Sequence, residues 1–201
     1  MKERGDNAAQ IAEKRIVNEC TNITYPQVVN LGDSAAQNKI NKAIEGQVYS
    51  LIPPEGCDVW GEIFGKYQVT LNEKGILSIN IQFYKIRQHA ANGLNMQKSV
   101  TADLNTGKVY KLYELFKRNS DYRIVLNKMI RQQIKDRNLH LINEFKGIDD
   151  YQDFYLTEDA LVIYWQELEY TIHAEGIPEF VIPYEKIQNL ISEDSPVARF
   201  I

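Results

Sequence analysis

The chain is short of most of the patterns from which a function is ordinarily read. Its 201 residues include only 2 Cys, 3 His, 11 Gly and 6 Pro. Two cysteines make no disulfide-dense scaffold, and glycine and proline at this level exclude collagenous and low-complexity chains. No apolar run approaches the roughly 20 residues of a bilayer-crossing helix, so no membrane span is expected in this chain. Positive charge is in deficit as well: 23 Lys and Arg face 27 Asp and Glu, a formal charge of −4. Affinity for nucleic acid rests on basic groups neutralising phosphates, and no nucleic acid partner is expected. Residues 1–7 contain basic side chains with no apolar stretch behind them, so no signal peptide is visible.

Catalytic signatures are equally scarce. His89, His140 and His173 show no i, i+4 pair that would set two imidazoles on one helical face for zinc. There is no GxSxG elbow, no Walker loop and no GxGxxG after a strand. Asp149, Asp150 and Asp153 fail the spacing of a calcium loop. No catalytic residue, metal or cofactor is therefore assigned. Cys20 and Cys57 are too far apart for a CxxC pair. Two half-buried free thiols are the simpler expectation, and one Cys20–Cys57 disulfide is the alternative in an oxidising compartment. Asn22-Ile23-Thr24 matches a glycosylation acceptor, which has meaning only in a eukaryotic secretory pathway.

What is present is enough apolar sequence, 44% of the residues, for one full core. Residues 1–15 are too sparsely apolar for a buried face and read as a flexible lead-in. Val17, Ile23, Tyr25 and Val28, with Thr21 and Thr24 between them, favour an extended segment, and Pro26 marks it as an edge strand. Asp33 or Ser34 can cap a helix over 34–51, where Ala36, Ile40, Ile44 and Val48 recur at helical spacing until Pro53-Pro54.

Alternation then predicts a hairpin. Ile63, Tyr67, Val69 and Leu71 precede the turn Glu73-Lys74-Gly75, and Leu77, Ile79, Ile81 and Phe83 follow on one face, opposite Ser78, Asn80 and Gln82. A strand over 97–104 ends in Asn105-Thr106-Gly107-Lys108, where glycine is available for a positive φ, and 109–110 returns as a short strand. Residues 112–116 read as one helical turn. A second long helix follows Ser120 or Asp121, with Lys117, Arg118, Arg123, Lys128, Arg131, Lys135 and Arg137 as its solvated side. Segments 153–157 and 160–165 form a hairpin, 179–183 a last strand, and 184–191 a closing helix. The expected class is α+β, a mainly antiparallel sheet packed against two long helices. The organisation is a single domain over 16–192, with halves of about 16–95 and 96–192, and a tail over 193–201.

Two loops carry the candidate binding residues. In the first, spanning 88–96, these are His89 and Asn92. In the second, spanning 166–177, Glu167, Glu169, Tyr170, His173 and Glu175 interleave acids with aromatic groups, as a contact surface does. Tyr170 is the expected anchor. The carboxylates Glu144, Asp149, Asp150 and Asp153 read as a solvated turn.

Several motifs resemble a known bacterial family. Ser99-Val100-Thr101-Ala102-Asp103-Leu104-Asn105-Thr106-Gly107-Lys108, followed by Leu112 and Leu115-Phe116, resembles its strand, Thr-Gly-Lys turn and Leu-Phe motif. Asp153-Phe154-Tyr155-Leu156-Thr157 and Gly176-Ile177-Pro178-Glu179-Phe180-Val181-Ile182-Pro183-Tyr184 resemble its C-terminal motifs. Tyr25-Pro26-Gln27, with Ile40-Asn41, is similar to its N-terminal half. This is the extracytoplasmic domain, of unknown function, shared by a lysozyme-sensing anti-sigma-V factor and the non-catalytic N-terminal region of a peptidoglycan deacetylase. The chain departs from the family pattern at His89-Ala90-Ala91-Asn92 and at Leu168 and Ile172.

The resemblance implies a non-catalytic binding or sensing module of the cell envelope. Such a module is secreted or tethered by an N-terminal anchor outside this chain, and its partner is a protein such as lysozyme, or peptidoglycan. The alternatives are a hydrolase acting on cell-wall glycan through a carboxylate pair and a structural accessory domain.

Overall fold

The computed structural model describes residues 7–201, so the first six residues of the expected lead-in lie outside the described ones. The chain divides into two compact units, residues 1–109 and 110–201.

The first unit holds a five-stranded sheet in the order β1 (Gln10–Val17), β2 (Thr21–Val29), β3 (Trp60–Glu73), β4 (Ile76–Arg87), β5 (Leu94–Asp103). Helix α1 (Ser34–Leu51) packs against β2, β4 and β5. The Asp33 carboxylate caps it, accepting from the amides of Ala35 at 2.8 Å and Ala36 at 3.0 Å. Pro53, two residues beyond Leu51, stops it. One face of the helix buries Ile40, Ile44 and Val48 against Ile79, Ile81 and Phe83 of the predicted hairpin.

The sheet is mixed, not mainly antiparallel. Strands β2 and β3 run parallel, pairing Thr21 with Ile63 and Ile23 with Gly65. The expectation of antiparallel pairing overlooked that α1 is itself long enough to carry the chain back to the start of the sheet. Gln10–Val17 form a strand where a lead-in was expected. The ladder to β2 organises this mostly exposed strand, and Ile11 and Ile16 pack from it against the core. That partner also moves β2 from the edge to an inner position. Pro26 is tolerated there because parallel pairing with β3 ends at Ile23, leaving one flank of β2 without a ladder.

The same crossover decides the cysteines. The Ile63 amide donates to Cys20 O at 2.7 Å, and the segment entering β3 is thereby held beside the start of β2. Cys20 and Cys57 are joined by a disulfide with Cα atoms 5.4 Å apart. The expectation of two free thiols is corrected, because a contact made through a parallel crossover leaves no trace in local spacing.

The second unit pairs α2 (Tyr122–Asp136) with a small antiparallel sheet, β6 (Phe154–Leu156), β7 (Ala160–Tyr164) and β8 (Glu179–Pro183). The fold is thus α+β with two sheets and two α-helices, and α2, at 15 residues, has an ordinary length rather than the long one expected. Its basic side is only partly solvated. Gln133 Nε2 donates to Val181 O at 2.9 Å and an Arg137 guanidinium N–H to Glu179 O at 2.7 Å, closing the open edge of β8. Arg131 and Arg137 also lie over the rings of Phe145 and Phe180, each at 5.4 Å. The closing segment is two 3-10 turns, Tyr184–Lys186 and Gln188–Leu190, instead of an α-helix. The expected tail contains a further turn, Pro196–Arg199, that buries Val197 completely.

Candidate functional site

The 166–177 loop leaves β7 after the buried Trp165 and returns to β8, its neck closed where the Trp165 amide donates to Pro178 O at 3.4 Å. A β-bridge between Leu141 and Thr171 ties its middle to the chain that follows α2, and the Ile142 amide donates to Tyr170 O at 2.9 Å. Asn143 Nδ2 adds a bond to Glu169 O at 2.8 Å. The loop then turns back at Gly176, whose φ of +66° is accessible to glycine at little cost. Thr171 Oγ1 donates to Gly176 O across that turn at 2.8 Å.

Beneath the loop lies a cluster of rings packed edge to face. Tyr170 stands 5.5 Å from Trp165 and 5.7 Å from Phe145, and Trp165 stands 5.7 Å from Phe180. Such edge-to-face pairs add about 0.5–1.5 kcal/mol each beyond area burial. Tyr170 is therefore half-buried and braces the loop from below, so its ring is not the outward anchor that the sequence pointed to. Glu167 is also an internal brace: its side chain has no exposure, and its carboxylate pairs with His173. A buried carboxylate requires a partner of this kind.

The remaining nominated residues face outward. Glu169, His173 and Glu175 are exposed, and Glu175 Oε1 lies 3.4 Å from His140 Nδ1. His89 and Asn92 are exposed in the β4–β5 turn, His89 with a φ of +61°. That turn is fixed to the disulfide loop by Gln88, which donates from its amide to Val59 O at 3.0 Å and from Nε2 to Cys57 O at 2.8 Å. His89 and Asn92 belong to the first unit, the other five to the second.

The loop and the segment bridged to it at Leu141 also display apolar residues. Ile142, Leu168 and Ile172 are 46%, 48% and 40% exposed, and Leu168 adopts a φ of +68°. A non-glycine residue in that region is uncommon and persists where its surroundings hold it. In the sequence Leu168 and Ile172 stood out as departures from the family pattern, and Ile172 also as an apolar residue interleaved with the loop's acids. Along the chain the loop lies in an acidic stretch, since residues 138–195 contain thirteen Asp and Glu against Lys146 and Lys186, while Arg131 and Arg137 of α2 lie over Phe145 and Phe180 in the ring cluster.

A second concavity of the same unit, about 440 Å³, is lined by Glu158, Asp159, Tyr184, Glu185, Gln188 and Phe200. Tyr184 is committed there to the fold. Its hydroxyl donates to Thr157 O at 2.8 Å, and burial, aided by the Asp159 charge, pushes its pKa up. Among the described residues no group of three His, Cys, Asp or Glu side chains could hold a metal, and no helix is long and apolar enough to cross a membrane.

The fold and the loop define a class, an α+β domain without an assembled metal centre among its described residues. Residues 113–185 match the model of a family described as a protein of unknown function (DUF3298). The range contains the 153–157 and 176–184 motifs. Two solved DUF3298 proteins share the fold. One, from Bacteroides fragilis, has a TM-score of 0.70 at 16% identity and covers 98% of both chains. The other, from Pseudomonas aeruginosa, has a TM-score of 0.59 at 11% identity, covering 92% of this chain and 93% of its own. The chain is also similar to the anti-sigma-V factor RsiV of Bacillus subtilis, 29% identical over 141 residues. That alignment covers 64% of this chain and 48% of RsiV, so the chain spans about half the length of this relative.

Proposed function

We propose that this domain is a non-catalytic binding or sensing module that works outside the cytoplasm, with the 166–177 loop as its partner contact. The observation that carries the reading is the loop's construction: an underside braced by packed rings displays Leu168 and Ile172 among the exposed acids Glu169 and Glu175. Apolar centres ringed by polar groups are where binding energy concentrates. The acidity favours a basic partner by raising encounter rates, and lysozyme is the specific candidate that similarity to an anti-sigma-V factor supports. The disulfide fits an oxidising, extracytoplasmic compartment. His89 and Asn92 are proposed as contacts of a separate turn in the first unit.

The glycan hydrolase reading has less support. The carboxylate paired with His173 is that of Glu167, which has no exposed side chain for a substrate to reach. Titration calorimetry tests the proposal. The intact domain binds lysozyme with an affinity that weakens as salt rises. Ile172→Ser and Glu169→Lys weaken binding without lowering the melting temperature. An intact domain that binds no lysozyme removes the specific partner. Binding indifferent to both substitutions removes the loop.

A further inference from the structure

A second surface of the 110–201 unit has the make-up of a cation-binding corner. Tyr113 and Tyr151 are 43% and 73% exposed. Their ring centroids lie 6.1 Å apart, with the planes at 78°. Two tyrosines this exposed, meeting edge to face nearly at right angles, form an open corner with aromatic surface accessible from solvent.

The corner is prebuilt from below. Tyr113 sits on the 3-10 turn Leu112–Leu115, whose two leucines are wholly buried. Asp149 holds the backbone of Tyr151 by accepting its amide at 2.6 Å. Asp150, between the two, is clamped to the start of α2 by the Arg123 guanidinium and by the Tyr122 hydroxyl at 2.9 Å. Tyr122 in turn stacks on Phe116 at 4.3 Å with the planes 2° apart. These bonds hold the Asp150 carboxyl below the usual carboxylate range, the Arg123 hydrogen bond first and the Tyr122 hydroxyl second. The loop carrying Tyr151 is thus held by charge and stacking, while its aromatic ring is left to solvent. Preorganised, rigid tyrosines are the contact residues that lose least conformational freedom on binding.

We propose that Tyr113 and Tyr151 receive an arginine or lysine side chain of a protein partner. Charge selects a cation over a neutral group. Tyr151 directly follows Asp149 and Asp150, the 110–201 unit that carries both rings holds sixteen Asp and Glu against eleven Lys and Arg, and Arg123 is already neutralised by Asp150. A cation over an aromatic face gains from the ring quadrupole, and an acidic surround adds to that gain. The corner involves none of the residues of the 166–177 loop, and it rests on the proposed function only for the basic character of the partner.

Hexa-arginine titrated into the whole domain, followed by NMR of the tyrosine ring signals, tests this without lysozyme. The peptide shifts the Tyr113 and Tyr151 signals. Tyr151→Leu weakens its binding about three-fold and the Tyr113→Leu, Tyr151→Leu pair about ten-fold. Tyr151→Phe, which keeps the ring, binds as the parent does. Ring signals that hexa-arginine leaves unmoved, or a double leucine variant that binds it undiminished, overturn the proposal. Shifts produced by N-acetylchitotetraose instead of the peptide overturn it in favour of a glycan platform. A domain that binds no lysozyme yet passes this test loses the lysozyme reading alone.

Discussion

The side-chain amide of Asn41 makes with Val28 the two hydrogen bonds that a neighbouring strand would make: Asn41 Oδ1 accepts the Val28 amide and Asn41 Nδ2 donates to Val28 O, each at 2.8 Å. Beyond Ile23 strand β2 loses its parallel partner, and α1 supplies this substitute about two turns into its length. Replacing Asn41 by Ala leaves a donor and an acceptor of β2 unpaired in a half-buried place. The cost is about 2 kcal/mol, since each orphaned group costs roughly 1–3 kcal/mol where water cannot reach it. Asn41→Asp recovers little of this, because a carboxylate cannot donate to Val28 O. Urea unfolding with the slope held constant measures both.

The Cys20–Cys57 bridge closes a loop over 37 positions of sequence separation. Chain-entropy arguments assign such a closure about 4 kcal/mol. Protein denatured without reductant exposes no thiol to a colorimetric reagent, and Cys57→Ser lowers stability by an amount of that order. The Gln88 Nε2 bond to Cys57 O also ties the bridge to the His89–Asn92 turn. Amide exchange in that turn therefore quickens in the same variant.

Local periodicity made part of this fold legible. The α1 boundaries follow from Asp33, the spacing of Ile40, Ile44 and Val48, and Pro53, all of which act within a few residues of themselves. The β3–β4 hairpin follows from alternation around Lys74-Gly75. Strand β1, the parallel pairing and the disulfide depend on partners brought in by a crossover, and no local pattern encodes them. In the 166–177 loop, Glu169, His173 and Glu175 are exposed, as polar residue types lead one to expect. Residue type could not tell that Glu167 and Tyr170 turn inward, because orientation there is set by Trp165, Phe145 and His173, which pack from other parts of the chain or across the loop.

Gly107 joins a readable turn to a contact that was not readable. The Asp103 carboxylate accepts the amides of Asn105 and Thr106, each at 2.9 Å, and shapes the turn in which Gly107 takes a φ of +70°. A Cβ there would lie 2.7 Å from Ala36 Cα and 2.8 Å from Ala36 O, main-chain atoms of α1 that cannot swing aside. Gly107→Ala therefore combines backbone strain with a clash against a helix. The expected loss is about 2–4 kcal/mol, more than strain alone gives. Gly56, with a φ of +51° and open space around its Cβ position, provides the control. Gly56→Ala carries strain only, so a loss equal to that of Gly107→Ala would refute the role of the close approach.

Five tyrosines share a response to alkali. Burial raises the pKa of Tyr25, Tyr67, Tyr122, Tyr155 and Tyr184, with the carboxylates of Glu179 and Asp159 adding to the effect at Tyr155 and Tyr184. A phenol whose folded pKa exceeds its unfolded value near 10 stabilises the fold fully below that value. The contribution is lost as pH rises from about 10 through the folded pKa, since the unfolded chain then releases its proton first. Stability accordingly declines above about pH 10. Absorbance titration near 295 nm shows at least five of the 12 tyrosines ionising later in the native protein than in urea. Tyr155→Phe and Tyr184→Phe each remove one late-titrating group. Tyr184→Phe also loses the bond to Thr157 O, so it lowers stability at neutral pH while flattening the alkaline decline. A native curve superimposable on the denatured one would show that these rings do not occupy the buried positions described.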